Sequence, residues 1–420
     1  MPTNKTLPHE RNGHSVAPSP PPGKDVGRWQ YPDNGEPAAS PDFDSVSAWC
    51  KRPDLIGAIQ ADIAALGVVG EENNSLLMYL TGTSRLRRNP LRLIIRGSSG
   101  AGKSHPLEKV ASLFPAEEVI RATSLTPQAL YYGAPGWLEH KLILGGERSH
   151  RTDEEAADAT AALRQLISED RISKQVTANV GGKLETQTVE QNGPIAFVQT
   201  TTAKSIFAED QNRCLQTWAD ESQEQTERIL QVSARAYTEP SPADVAGILE
   251  RHRRFQLLLG NSKDISIVIP FAETLARRLP KNKLESRRMV KLVLATIETI
   301  AFLHLHQRDR DSEGRLVATS ADYDIARRLL LTPLNESIGV GDRAWKAFRA
   351  LSAKFPKQQF TSSQPVEAGL FNNKMTCNRA LKDLEALGVI NCVAIAKGKI
   401  PARWSWTTKT ISPVLPLRLA

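Results

Sequence analysis

Residues 97–104 read Gly-Ser-Ser-Gly-Ala-Gly-Lys-Ser, and no other stretch constrains the fold as tightly. The spacing G-x-x-x-x-G-K-[ST] is that of a loop whose glycines let backbone N–H groups form a concave nest for phosphate. Just before it, Leu91-Arg92-Leu93-Ile94-Ile95 reads as a short buried strand, and a helical pattern follows. A helix starting there adds its positive dipole end to the nest. Gly97, Ser98, Ser99, Gly100, Ala101, Gly102, Lys103 and Ser104 are therefore the expected nucleotide-binding residues. Lys103 would reach the β- and γ-phosphates, and the Ser104 hydroxyl would ligate Mg²⁺. Pro106 falls in the first helical turn, where N–H groups lack intrahelical partners. Strand, phosphate loop and helix in that order predict an α/β core.

The rest of the 420 residues divides by texture. Residues 1–44 are rich in Pro, Gly, Ser and Asp with few large apolar groups, and read as a disordered tail without a signal peptide. A helical lead-in covers 45–88, with Leu55, Ile56, Ile59, Ile63 and Leu66 at three-four spacing. The phosphate-binding core is placed at 89–238 and a helical lid at 239–338. In the lid, Val245, Ile248 and Leu249, and then Met289, Leu292, Val293, Ile297, Ile300 and Phe302, mark apolar helix faces. His304 and His306 read as packing residues, not ligands. The four cysteines, Cys50, Cys214, Cys377 and Cys392, lie far apart and show neither metal-ligand spacing nor a disulfide pattern. They fit a reducing, cytoplasmic setting. No apolar run approaches the ~18 residues of a membrane span.

A phosphate-binding core that hydrolyses nucleotide needs an acid at the end of a neighbouring strand. His140 to Glu147 supplies such a strand, and Glu147 is the acid, either as water-orienting base or as a partner of the metal. Gly146 stands where an Asp would complete the usual acidic pair. Glu147 as a plain strand-end surface residue is the alternative. Thr152 to Glu155 has capping-box spacing and opens a helix to about Ser168. Ile172 to Val189 then reads as a β-hairpin turning at Gly181-Gly182, with Lys183 at its tip. A basic tip on a long polar hairpin suits contact with nucleic-acid phosphates, against an incidental surface Lys. Ile195 to Gln199 is a buried strand that ends in Thr200, Thr201 and Thr202, polar groups placed to sense the terminal phosphate or to position water. Arg213 follows, either as an arginine finger for a neighbouring subunit or as an internal ion-pair partner of Asp220 or Glu221.

This order of parts resembles an AAA+ ATPase of the pre-sensor-hairpin group, which includes the minichromosome maintenance and superfamily-three helicases. The segments GVVGEENNSLLMYLTGTSR (67–85), GERSH (146–150), EQNGPIAFVQTTT (190–202) and EDQNRCL (209–215) are similar to the helicase-like region of phage and mobile-element primase-helicases. The resemblance spans residues 50–335. It implies ring-shaped oligomers, often hexamers, with ATP bound between subunits. It further implies Glu147 as the Walker-B-type acid, Arg213 as a finger acting in trans, and Arg288, with Arg287 close behind, as a second sensor. Lys183 takes the place of a DNA-contacting hairpin residue.

Residues 339–410 read as a winged-helix domain, a module that minichromosome maintenance helicases also carry at the C-terminus. Trp345, Phe348 and Leu351 mark a first helix, Ser362 to Gly369 a second and Asn373 to Leu387 a third. Met375, Ala380, Leu381, Leu384 and Leu387 are expected on the core face of the third. Lys374, Asn378, Arg379 and Lys382 would face a DNA groove, and Lys397, Lys399 and Arg403 would lie near phosphates. A protein-contact role is the alternative. The net charge of +8 agrees with a polyanionic partner. The expected function is an ATP- and Mg²⁺-dependent DNA helicase or translocating motor, with single-stranded DNA in a channel and duplex on the winged helix. The alternatives are an ATP-switched initiator or loader, and a DNA-binding regulator with little turnover.

Overall fold

The fold is taken from a computed structural model, which describes residues 43–122, 130–145, 154–180, 183–202, 213–238, 243–281, 286–337, 340, 342–356, 358–396, 400–408 and 415–416. Glu147, Lys397, Lys399, the turn at 181–182, the capping residues 152–153 and most of the expected tail lie outside the described residues.

Helices α1 (Phe43–Cys50), α2 (Leu55–Ala65) and α3 (Glu72–Ser84) come first. Asp54 fixes the start of α2 by accepting the Gly57 N–H at 3.0 Å. Leu55, Ile56, Ile59 and Ile63 are buried, as their spacing predicts. In α3 every residue from Asn74 to Ser84 is buried, so this helix has no solvated face after its first turn.

Strand β1 (Arg92–Arg96) leads through the glycine-rich loop into α4 (Ser104–Ala111). Then come β2 (Val119–Ala122), β3 (Lys141–Gly145), α5 (Glu154–Glu169), the strands β4 (Arg171–Val180) and β5 (Lys183–Asn192), and β6 (Ile195–Thr201) and β7 (Leu215–Trp218). Five of these form one sheet in the order β2-β3-β6-β1-β7, and all neighbours are parallel. The strand sequences are apolar on both faces because both are covered. Leu93, Ile95, Leu142, Leu144, Ala196, Val198 and Leu215 join the core formed with the N-terminal helices and the helices that follow the sheet. Ile94, Ile143, Ile195 and Phe197 join a second core with Ala162, Leu163, Leu166 and Ile167 of α5. Thr200 and Thr201 close β6 and are buried.

The helical region holds α6 (Gln223–Arg235), α7 (Val245–Gly260), β8 (Ile267–Val268), α8 (Ala272–Arg278), α9 (Ser286–Leu303), β9 (Leu316–Val317) and α10 (Ser320–Ser337). Val245 is exposed, because it opens α7 and the buried face starts at Ile248. His304 is buried and its Nδ1 pairs with the Ile300 carbonyl oxygen at 2.8 Å. His306, in contrast, is exposed, since α9 ends at Leu303 and the chain turns away.

The last unit has α11 (Asp342–Lys354), β10 (Phe360–Thr361), α12 (Gln364–Glu367), α13 (Lys374–Ala386), β11 (Ile390–Ala394) and β12 (Arg403–Trp406). Its antiparallel sheet has the order β10-β12-β11. Cys377, Ala380, Leu381 and Leu384 of α13 pack with Leu351, Phe360 and Trp404. Met375 does not join them. It is 64% exposed, and Cys377, two positions on and roughly 200° round the helix, holds the core position instead.

Candidate nucleotide site

In an open parallel sheet, ligands bind at the carboxyl ends of strands where the chain order reverses. Strand β1 sits at such a point, between β6 and β7. The loop leaving it is held on both sides. The Gly97 N–H donates to the Thr201 carbonyl oxygen at 3.2 Å. The Lys103 ammonium folds over the loop and donates to the carbonyl oxygens of Gly97 (2.9 Å) and Ser98 (2.7 Å).

Gly100 and Gly102 have φ of +85° and +74°, and a Cβ at either would meet nothing within 4 Å. Glycine is needed there for backbone conformation, not for space. Gly97 shows the opposite requirement. A Cβ on it would come within 3.1 Å of a Glu221 carboxylate oxygen and 3.3 Å of Lys103 Cδ.

Glu221 is the site residue that the sequence reading did not assign, naming it only as an ion-pair option for Arg213. Its carboxylate accepts the Ser98 N–H in a short hydrogen bond and the Ser98 hydroxyl at 3.0 Å. Those two bonds, with the positive charge of Lys103, hold its carboxyl below the ordinary glutamate range. Finding it requires knowing that β7 is the neighbour of β1, and the neighbour of a strand is not written in the sequence near it.

The lead-in wraps the same place. His105 Nε2 is 3.2 Å from the Gly67 carbonyl oxygen. Glu71, with φ of 59°, accepts the Asp220 N–H at 2.6 Å. Asn74 donates to the Trp218 carbonyl oxygen at 2.8 Å and accepts from the Thr217 hydroxyl at 2.5 Å. Gln225 donates to the Val69 carbonyl oxygen at 2.6 Å. A small cleft opens here, lined by Ile63, Val68, Gly70 and Ser75, and the buried Ser75 hydroxyl has no hydrogen-bond partner.

The remaining expected site residues are scattered. Arg213 precedes β7, at the sheet edge opposite the loop that follows β1, since the two strands run parallel with Leu93 beside Leu215. It is therefore a full strand length from its own phosphate loop. The hairpin also leaves from that opposite edge. Its base is fixed by the Gly193 N–H to the Asp170 carbonyl oxygen (2.7 Å) and by Arg92 to the Asp170 carboxylate (3.1 Å). Lys183 is exposed near the far end. Arg287 and Arg288 are exposed in the first turn of α9. On α13, Lys374, Asn378, Arg379 and Lys382 are exposed on one face, and Arg403 is exposed on β12.

The loop fits a nucleoside triphosphate with Mg²⁺: its glycine-bearing side is open, a lysine is gathered over it, and Ser104 starts the following helix in an exposed position. Among the described residues no helix is long and apolar enough to cross a membrane. A search of curated proteins gives no match. Residues 54–245 match the family model described as the MTBMA_p00010 P-loop domain. The matched stretch runs from the cap of α2 to the start of α7 and so contains the whole parallel sheet. This part of the chain is accordingly similar to that family, and it has the α/β core of a P-loop NTPase.

Proposed function

We propose that the chain is an ATP-hydrolysing DNA motor of the AAA+ pre-sensor-hairpin group, working as a ring-forming helicase. The observation that carries this reading is the pairing of sheet order with hairpin position. The phosphate-loop strand lies between β6 and β7, and the long β4–β5 hairpin is inserted just before β6. Lys103 and the loop N–H groups would hold the phosphates, and Ser104 would hold the metal, with Glu147 as its acid. Bound Mg²⁺ neutralises phosphate charge, which lowers the cost of attack by water.

Thr201, bonded through its carbonyl to Gly97, keeps β6 in step with the loop. Its neighbour strand β1 then moves with whatever β6 senses. Arg213 is too far from its own loop, which supports a role at the site of an adjacent copy. The order helix, strand, helix, helix, strand, strand at 342–406 supports a winged helix, with α13 as its DNA-reading element.

The test is turnover and unwinding by the purified chain. ATP hydrolysis should be stimulated by single-stranded DNA, a forked duplex should be separated, and Lys103→Ala should lower turnover by at least about a hundredfold. A second reading, an ATP-switched initiator or regulator, is favoured by Gly146 in the acidic position. Tight binding to one duplex site with negligible hydrolysis would decide for it and against the motor.

A further inference from the structure

Glu221 stands between two things. On one side it holds the phosphate loop through both the N–H and the hydroxyl of Ser98. On the other it adjoins Ser222, whose hydroxyl caps α6 by accepting the Gln225 N–H at 3.1 Å. The residues around it have no slack. Ala219 N–H donates to the Arg96 carbonyl oxygen at 2.8 Å, at the end of β1. Asp220 is bonded to Glu71, and its carboxylate accepts the Ser222 N–H at 2.9 Å. Gln225, the buried residue of α6, reaches Val69.

Helix α6 itself has few ties. Apart from Gln225 it is exposed, and Ile229, Leu230 and Val232 lie on one arc of it, with Glu224, Glu227, Gln231, Arg228 and Arg235 on the other. Its position is therefore set at its first turn.

The Gly97–Ser98 peptide is held by opposite charges, Lys103 on its Gly97 carbonyl oxygen and Glu221 on its Ser98 N–H. A triphosphate disturbs this balance. It draws the lysine toward phosphate oxygens and brings several negative charges next to the carboxylate. The carboxylate then loses its nearest cation and faces a like charge, so its hold on Ser98 weakens. Because Ser222 is the next residue, any shift of Glu221 is delivered to the cap of α6.

We propose that Glu221 is a positioning residue that couples phosphate occupancy of the 97–104 loop to the setting of α6. The inference rests on the reading of that loop as a nucleoside-triphosphate site. It assigns Glu221 no contact with the reacting atoms.

Amide hydrogen exchange on the full chain, with and without Mg²⁺ and a non-hydrolysable ATP analogue, tests it. In the wild type, bound analogue should change exchange across 222–235 as well as in the loop. Glu221→Gln keeps an oxygen for the Ser98 N–H but removes the charge. It should bind the analogue roughly threefold or more tightly, with the α6 response reduced. Glu221→Ala should bind with no α6 response, and Glu221→Asp should restore part of it. Binding by the wild type with no change in 222–235, or an unchanged α6 response in Glu221→Ala, overturns the coupling and leaves the nucleotide site standing. No binding by the wild type overturns the nucleotide site and the coupling together.

Discussion

Tyr79, His252 and Asp62 form a hydrogen-bonded chain inside the helical part of the core. The Tyr79 hydroxyl is 2.9 Å from His252 Nδ1, and His252 Nε2 is 3.0 Å from an Asp62 carboxylate oxygen. Gln256 donates to the same hydroxyl at 3.2 Å and accepts from Arg85 at 2.8 Å. The chain is satisfied when His252 is neutral, accepting the tyrosine O–H at Nδ1 and donating from Nε2 to Asp62. Burial holds its pKa below the usual histidine value, against the pull of Asp62. Burial pushes Asp62 up, but the hydrogen bonds and charges of His252 and Arg251 outweigh it and leave the carboxyl lowered. A lowered folded-state histidine pKa means that the unfolded chain takes up the proton first. Stability contributed by His252 is therefore complete above about pH 6.5 and falls as the pH drops below it, by at most about 1.4 kcal/mol per pH unit for one proton. Urea unfolding from pH 8 to pH 5 should show this slope in the wild type and a smaller one in His252→Gln. Equal slopes would show that the chain does not titrate this way. At this scale the glycine-rich loop was legible because its chemistry is local: eight consecutive residues supply nest, charge and hydroxyl. Glu221 and His252 were not, because each acts with partners brought to it from distant segments.

The β4–β5 hairpin shows what an element adds beyond its residues. Ten residues pair with ten in unbroken register, from Arg171 opposite Asn192 to Val180 opposite Lys183. At about 3.3 Å per residue each strand extends roughly 30 Å. Its base is packed: Ile172 is buried, Gln191 donates to the Gly133 carbonyl oxygen at 2.8 Å, and Lys174 lies over the Tyr131 ring. The outer part carries Lys183 and the exposed Leu184. Replacing Lys183 with Ala should leave thermal stability within about 0.5 kcal/mol, since an exposed side chain is lost. It should reduce DNA-stimulated hydrolysis and unwinding several-fold, read as the DNA concentration needed for half-stimulation. Unchanged stimulation would remove the hairpin from the DNA path. The glycine pair and the β-branched and polar residues on either side of it made this hairpin visible in the sequence. The Met375 position on α13 was misread because two positions in a helix, from Met375 to Cys377, cross from surface to core, and apolar character alone does not say which side a flexible thioether takes.

Across the whole molecule, Leu415 and Pro416 pack on the helical region far back in the sequence. Leu415 is fully buried in the core that contains α10, and the Pro416 carbonyl oxygen accepts from the Tyr323 hydroxyl (2.7 Å) and from Arg327 (2.9 Å). Leu415→Ala should cost about 3 kcal/mol, the usual loss for emptying a buried leucine site. It should lower the unfolding midpoint measured by urea. A wild-type midpoint would mean that this contact contributes nothing. The contact was not legible in the sequence, since Val414, Leu415, Leu417 and Leu419 lie among Pro413 and Pro416 and do not show which of them meets a distant core. Its consequence lies in the timing of synthesis. Helix α10 emerges long before Leu415 is made, and the whole 342–408 unit must be built in between. The nascent chain thus carries an unfinished apolar seam on α10 while its last unit folds, and the seam closes only when residue 415 has been added.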